Sequence, residues 1–331
     1  MVGIKALVTG GTGFLGANLV AGLNKEGIRP VVIRRASSSM LALEGLIYEP
    51  VMGDVLDPPE KLAELMAGVD WVFHVAAVSD YWRQDSDWLY QVNVGGTRNV
   101  LAAAQLAAVK RLVYTSSVSA LGIPVGDEVL TEESQFNLEP QAWPYAHSKH
   151  LAEIEVRRAC QAGLEGVIVQ PSVCIGPRDL NLISGSIIVE AARGLARIYP
   201  PGGSNYVAVE EVVAGHIAAA QRGKVGERYI LGGENLSHRR AMEIVCEIVG
   251  RPAPKIGLPS WSIGPLALAV RGARAVFGNR IPFNEWHVRL SGKNVYFEPD
   301  KAVRELGLRI VPFRRAVKNA YDWYNEHDFL S

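Results

Sequence analysis

The sequence predicts an α/β fold in which a doubly wound parallel sheet is followed by a smaller, discontinuous C-terminal lobe. Three observations carry this. Short apolar runs alternate with helix-like segments over the first 171 residues. Those runs are continuously apolar, as strands covered on both faces must be. Beyond Pro171 the regular alternation breaks down.

Taken in order, residues 4–9 read as a first strand, and residues 13–25 as a helix with Leu15, Leu19 and Leu23 at helical spacing. Residues 31–33 and 47–53 read as the second and third strands, with a helix over 60–67 after them. Residues 69–76 form a fourth strand, apolar apart from Asp70 and His74. One long, alanine-rich helix is expected over 89–108, then a fifth strand over 111–116. Residues 145–162 are helical, and 167–170 a sixth strand. The first lobe is therefore 1–171, with 206–231 expected to return to it, residues 206–213 and 228–231 being the segments that could rejoin the main sheet as strands. Residues 172–205 and 232–331 form the second lobe.

Length and composition bound the rest. The 331 residues, 48% hydrophobic, suffice for one large domain or two modest ones. Lys plus Arg and Asp plus Glu number 34 each. A balanced chain has no electrostatic footprint for nucleic acid, so a small-molecule substrate is the expected partner. Cys160, Cys174 and Cys246 are far apart, odd in number and without metal-ligand spacing. No metal is expected, and the thiols read as buried, with Cys174 nearest the expected site. No signal peptide is recognised, which points to the cytoplasm. A membrane is not expected as a partner. The apolar stretch 261–277 is broken by Pro265, Arg271 and Arg274 and is short for a span, although weak contact with a membrane surface stays open. A homodimer is the default assembly to test for.

The first motif is Thr9-Gly10-Gly11-Thr12-Gly13-Phe14-Leu15-Gly16. Gly10 permits a tight turn after the strand, Gly13 lets backbone approach a pyrophosphate, and Gly16 lets helix pack on strand. The helix N-terminus offers amides and a positive dipole end to phosphate. Strand, glycine loop and amphipathic helix together make a Rossmann-type dinucleotide site. At the end of the second strand, an NAD-preferring site carries a carboxylate for the ribose 2′-hydroxyl. Arg34 and Arg35 stand there instead and suit a 2′-phosphate, so NADP(H) is favoured over NAD(H). Asp54, with Val55 beside it, either accepts from the adenine amino group or caps the next helix.

Tyr145 alone among the 11 tyrosines has a lysine, Lys149, four residues on. On a helix the two share a face. An ammonium beside a phenol favours the phenolate and lowers its pKa, fitting Tyr145 for proton transfer. Lys149 can also hold the nicotinamide ribose. The fifth strand ends in Thr115-Ser116-Ser117, at the sheet edge where ligands bind; Ser117 is preferred over Ser116 as donor to a substrate oxygen.

With these residues in view the chain resembles the extended short-chain dehydrogenases/reductases, also called the NAD-dependent epimerase/dehydratase family. The matching segments are the glycine loop, Gly53-Asp54-Val55, Phe73-His74-Val75-Ala76-Ala77, Asn93-Val94-Gly95-Gly96-Thr97, Tyr114-Thr115-Ser116-Ser117, Tyr145-Ala146-His147-Ser148-Lys149 and Gln170-Pro171-Ser172-Val173. Arg228-Tyr229-Ile230-Leu231-Gly232-Gly233-Glu234-Asn235 and Lys301-Ala302-Val303-Arg304-Glu305-Leu306-Gly307 resemble the branch of dihydroflavonol reductases and hopanoid-associated sugar epimerases. The resemblance implies Ser117, Tyr145 and Lys149 as the catalytic set. It implies that Ala76 and Ala77 line the cofactor and that Pro171, Ser172 and Val173 meet the nicotinamide carboxamide. His74 reads as a packed histidine, and Asn93 as a fold-supporting residue.

Two reactions use this chemistry. A reductase transfers hydride from NADPH to a ketone or aldehyde and releases both products. A nucleotide-sugar epimerase retains its nicotinamide and returns the hydride. The second needs cations for a diphosphate. Asn205 stands where such enzymes carry an arginine, with Arg178 and Arg193 as candidate substitutes. Asp80, Tyr81 and Trp82, in a loop after the fourth strand, are expected to reach the substrate. A cofactor-binding regulator without catalysis would have lost the Tyr145–Lys149 pair.

Overall fold

The computed structural model describes residues 3–79, 86–278, 281 and 284–330. The predicted loop residues Asp80, Tyr81 and Trp82 lie outside the described residues. Six strands come in order along the first half: β1 (Ala6–Thr9), β2 (Val31–Arg34), β3 (Glu49–Met52), β4 (Trp71–His74), β5 (Arg111–Thr115) and β6 (Gly166–Pro171). Then follow β7 (Val173–Ile175), β8 (Ile198–Tyr199), β9 (Gly203–Ala208), β10 (Arg228–Leu231), β11 (Glu234–Ser237), β12 (Ile256–Gly257) and β13 (Asn294–Val295). The main sheet has seven strands in the order β10-β6-β5-β4-β1-β2-β3, all parallel. Sequence order reverses between β1 and β4, and the crevice for a ligand lies at that switch point.

Helices cover both faces. Those of the first half are α1 (Phe14–Lys25), α2 (Pro59–Leu65), α3 (Ser86–Tyr90), α4 (Thr97–Leu106) and α5 (Pro144–Gln161). Later come α6 (Ser186–Ala192), α7 (Val209–Arg222), α8 (His238–Ile248), α9 (Ile263–Phe277), α10 (Glu285–Ser291), α11 (Asp300–Leu306) and α12 (Phe313–Glu326). One core, around Val8, Leu19, Leu23 and Val32, lies between the sheet and α1 and α7. A second, around Leu62, Val72, Leu101 and Leu112, lies on the opposite face under α2, α4 and α5. Each fully buried leucine here contributes about 1.5–3 kcal/mol of apolar burial.

The predicted strands are present with trimmed ends: the third shrinks to Glu49–Met52 and the fourth to Trp71–His74. The helix expected over 89–108 differs in kind. It is three consecutive pieces, α3, a π-helical stretch Gln91–Gly96, and α4. Gly95 and Gly96 weaken the ordinary turn here, and a Cβ on Gly96 would stand 2.7 Å from the Val55 side chain.

The strand expected over 206–213 ends at Ala208 and does not join the main sheet. Instead β9 pairs antiparallel with β11 and parallel with β13 and β7, forming a separate four-stranded sheet. From Val209 the chain is helical. Glu210 and Glu211 favour the positive end of α7, and Val209, Val212, Val213, His216 and Ile217 fall on one face. Helix α7 packs on α1, and β10 completes the main sheet beside β6. The C-terminal region is also shared: Ala302, Leu306 and Leu308 bury in the first core, whereas α6, α8 and α12 form their own around Val245, Phe313 and Tyr324.

Candidate active site

The glycine loop follows β1 directly. Gly10 takes φ +69°, and a Cβ there would meet the Ala76 backbone at 2.6 Å. A Cβ on Gly16 would lie 2.1 Å from the Gly10 carbonyl oxygen, so only glycine lets α1 start this close to β1. Gly13 is exposed, with no protein atom nearer its hypothetical Cβ than 3.5 Å. It begins α1 with no side-chain cap and no acidic residue in the first turn. The amides of Phe14 and Leu15 therefore open onto an uncluttered surface, a shape that fits a pyrophosphate.

Arg34 ends β2 half-buried, its side chain with no hydrogen bond or ion pair to another described residue, while Arg35 is exposed in the next turn, which Ser38 closes onto the Arg35 amide (3.1 Å). Asp54 caps the turn after β3, its Oδ1 accepting from the Leu56 amide (3.0 Å). Val55 is buried against Gly96, and Ala76 and Ala77 are half-buried beyond β4. The Ala76 amide donates to Thr9 Oγ1 (3.2 Å).

Behind this crevice runs a directional hydrogen-bond chain. The Thr97 hydroxyl donates to the Asn93 carbonyl (2.6 Å), so His74 Nε2 must carry its proton toward Thr97 (3.0 Å). His74 Nδ1 then accepts from Thr9 Oγ1 (2.8 Å). Full burial, reinforced by the Lys149 charge, pushes His74 down to about 3. It is a neutral packed histidine that fixes the Thr9 hydroxyl. Asn93 likewise supports the fold: it accepts from the Val78 amide (2.8 Å) and donates to the Val78 carbonyl and to Ser148 Oγ. Ser148 Oγ in turn donates to the Tyr145 carbonyl (2.7 Å). The wide π turn thereby braces the helix that carries Tyr145.

Helix α5 presents Tyr145 and Lys149 one turn apart. Lys149 is 3% exposed, and its Nζ donates to the Thr115 carbonyl (2.8 Å). Burial pushes it down to about 7, partly offset by Glu153. Tyr145 hydrogen-bonds the Ser117 side chain, which favours its phenolate. The expectation that Lys149 lowers Tyr145 is not met in this geometry. Apolar walls raise the phenol to about 12, and Ser117, not Lys149, opposes them. The ammonium is turned to the end of β5 instead.

Ser116 and Ser117 face opposite ways, as successive residues after a strand do. Ser116 Oγ is buried and donates to Glu153 Oε1 (2.5 Å), which also accepts from Gln170 Nε2 (2.7 Å). Ser117 opens toward Tyr145, its Oγ accepting from the Ser119 amide and hydroxyl. The buried Glu153 gave no motif signal; its i+4 spacing from Lys149 is what could have found it.

Ser117 lines a cavity of about 380 Å³, with Val118, Ile123, Leu138, Trp143, Leu290 and Phe297 among its apolar walls. The remaining lining residues include Ser172, Val173, Asn205, His238 and His287, and among the described residues no Lys, Arg, Asp or Glu lines it. Pro171 ends β6, and the Ser172 hydroxyl is buried without a hydrogen-bond partner. An unpartnered hydroxyl at this end of the crevice fits an amide group brought in by a ligand. Burial holds His238 at about 4, so it is neutral, with Nδ1 tied to Tyr206 Oη (3.2 Å). The Cys174 thiol is raised to about 12, by burial and then Asp179, and is unreactive at neutral pH.

The candidate diphosphate cations are elsewhere. Arg178 donates to the carbonyls of Ala42 (2.7 Å) and Glu44, and Arg193 to the carbonyl of Phe329 (3.1 Å). Asn205, fully buried, ties β9 to the Gly233 amide and carbonyl and to Asn235. Among the described residues no group of three or more His, Cys, Asp or Glu could hold a metal.

Comparison with known proteins agrees with this fold. The NAD dependent epimerase/dehydratase family matches residues 6–232, more than half of the chain. A Synechocystis sp. protein that carries a provisional dihydroflavonol 4-reductase name is 39% identical over 98% of this chain and 95% of its own. Sterol demethylase protein B of Methylococcus capsulatus is 32% identical over 99% of this chain and all of its own. The crystal structure of gox2253 superposes with a TM-score of 0.87 at 35% identity, covering 99% of both chains.

Proposed function

The chain belongs to the NAD dependent epimerase/dehydratase family, and within it we propose an NADP(H)-dependent oxidoreductase that interconverts an apolar ketone or aldehyde and its alcohol. The observation that carries this reading is the uncharged, largely apolar cavity over Ser117. A nucleotide diphosphate in that cavity would find no cation among the described lining residues, a large desolvation penalty. The names of the two relatives, a dihydroflavonol reductase and a sterol demethylase protein, refer to flat polycyclic compounds and agree with it.

Bound in the crevice, the nicotinamide supplies or accepts the hydride. Thr9, Gly10, Gly13, Phe14, Leu15 and Gly16 would hold its pyrophosphate, Arg34 the 2′-phosphate, and Asp54 and Val55 the adenine. Ala76 and Ala77 would flank the dinucleotide, with Pro171, Ser172 and Val173 at the carboxamide. In the reductive direction Ser117 donates a hydrogen bond to the carbonyl oxygen. Tyr145 gives that oxygen its proton as hydride reaches the carbon. Lys149, held by Thr115, would orient the ribose. In the oxidative direction the same proton goes back to Tyr145.

The test is NADPH consumption against a panel of uncharged cyclic ketones, with nucleotide sugars in parallel. One NADPH oxidised per ketone reduced supports the proposal. A purified protein that retains NAD through gel filtration and epimerises a nucleotide sugar without net redox change overturns it.

A further inference from the structure

Helix α9 is held by one strip only. Ile263, Ala267 and Val270 bury against Val288 of α10. Its opposite side faces solvent, and there Pro265, Leu268, Ala269, Gly272 and Val276 fall within an arc of about 100° at helical spacing. None of them is charged or polar. Leu268 is 50% exposed, Val276 75% and Phe277 58%; Trp261, in the turn that opens the helix, is 78% exposed. A helix on an ordinary protein surface carries its charged residues on that side.

Charge is distributed unevenly along this part of the sequence. Residues 251–293 hold seven Lys and Arg and one acidic residue, Glu285, an excess of six, in a chain that balances overall at 34 against 34. Arg271 stands at the border of the apolar arc, its side chain 66% exposed and its Nε 3.4 Å from Glu285. An apolar strip bordered by Arg271, within a segment of net positive charge, matches the interface of an anionic bilayer in both layers, acyl chain and headgroup. A second copy of the chain seated symmetrically on the same face would bring two like-charged segments together, which opposes association. No helix among the described residues is long and apolar enough to cross a membrane.

We propose that α9 docks this protein on anionic lipid, lying parallel to the bilayer with Trp261, Leu268 and Val276 among the acyl chains. Arg271, beside that arc, meets the phosphate headgroups. Helix α10 packs against α9 and also contributes His287, Leu290 and Ser291 to the cavity wall, so docking sets the cavity one helix away from the lipid.

Co-sedimentation of the full chain with vesicles tests this. The protein is expected to pellet with vesicles of phosphatidylglycerol and phosphatidylcholine in roughly equal parts and to stay in solution with phosphatidylcholine alone. Salt at about 1 M, where screening extends only about 3 Å, is expected to release most of it. The Leu268→Glu/Val276→Glu double variant is expected to lower the pelleted fraction on the order of tenfold. Both positions are exposed, and unchanged circular dichroism and NADPH titration would show that the fold survives. Three results overturn the proposal: the wild type remains in solution with anionic vesicles, the double variant pellets equally well, or the double variant converts a dimer to a monomer in gel filtration. The last result would assign the face to a second copy.

Discussion

The cofactor crevice and the cavity beside it are made of different material. The crevice is shaped by backbone: Gly10 and Gly16 leave no room for a Cβ, and a helix start with bare amides faces the gap. The cavity is shaped by side chains gathered from the loop after β5, from β9 and β13, and from α8 and α10. Backbone geometry tolerates almost no substitution, whereas an apolar wall can change residue by residue and still bury its surface. The ligand held by the crevice is therefore narrowly fixed, and the ligand held by the cavity is open to adjustment.

Substitutions can break this contrast. The largest effect is expected at the point where the regions meet. Tyr145→Phe should lower kcat about 10³-fold, within the usual range for loss of an acid–base group, while NADPH binding followed by fluorescence stays within about twofold. A much smaller loss of kcat would remove Tyr145 from the mechanism. Gly16→Ala should be nearly as severe through binding. Its Cβ has no space, so NADPH affinity should fall about 100-fold or more, with a lower Tm from overpacking. Affinity close to the parent's would mean that helix α1 can retreat from β1.

Three further measurements sharpen it. Arg34→Ala should weaken NADPH binding about 10–100-fold and leave NADH unchanged, as loss of a charge-assisted contact to a 2′-phosphate predicts. Equal weakening of both would reassign Arg34. With the Tyr145 phenol raised to about 12, only a small fraction is phenolate near neutrality. That fraction grows up to tenfold per pH unit below the pKa, so alcohol oxidation should accelerate with pH while ketone reduction, which uses the protonated phenol, should not. Parallel profiles in the two directions would count against Tyr145 as the proton carrier. The smallest effect is expected in the cavity wall. Leu290→Ala should shift kcat/KM between slender and bulky ketones by about tenfold without altering cofactor affinity. A change in NADPH binding would show that the regions are not separable.

The same contrast explains what could be read from the sequence. The glycine loop, the Tyr145–Lys149 pair and the Thr115-Ser116-Ser117 strand end lie on local stretches whose spacing maps directly onto one turn or one helix face. The choice of Ser117 over Ser116 follows from strand alternation. The direction of the Tyr145 shift was not legible, because it depends on how deeply apolar walls close over the phenol and on where the Lys149 ammonium points. The cavity wall was not legible either. Its residues lie between Ser117 and Phe297 and come together only when β9 leaves the main sheet for the second one. The misreading of 206–213 as a returning strand has the same origin. Val207, Ala208 and Val209 run apolar from a strand into a helix, and only Glu210 and Glu211 mark the junction.

The route of the chain has a further consequence, for synthesis. Strand β6 gains its outer neighbour only when residues 228–231 arrive, long after the glycine loop, Tyr145 and Lys149 have been made. Until then a growing chain presents β6 as a bare edge, apolar but for Gln170, of the kind that recruits strands from other chains. A fragment cut after Pro171 would keep that edge permanently. The half that reads most clearly in the sequence is thus the half least suited to exist without the other.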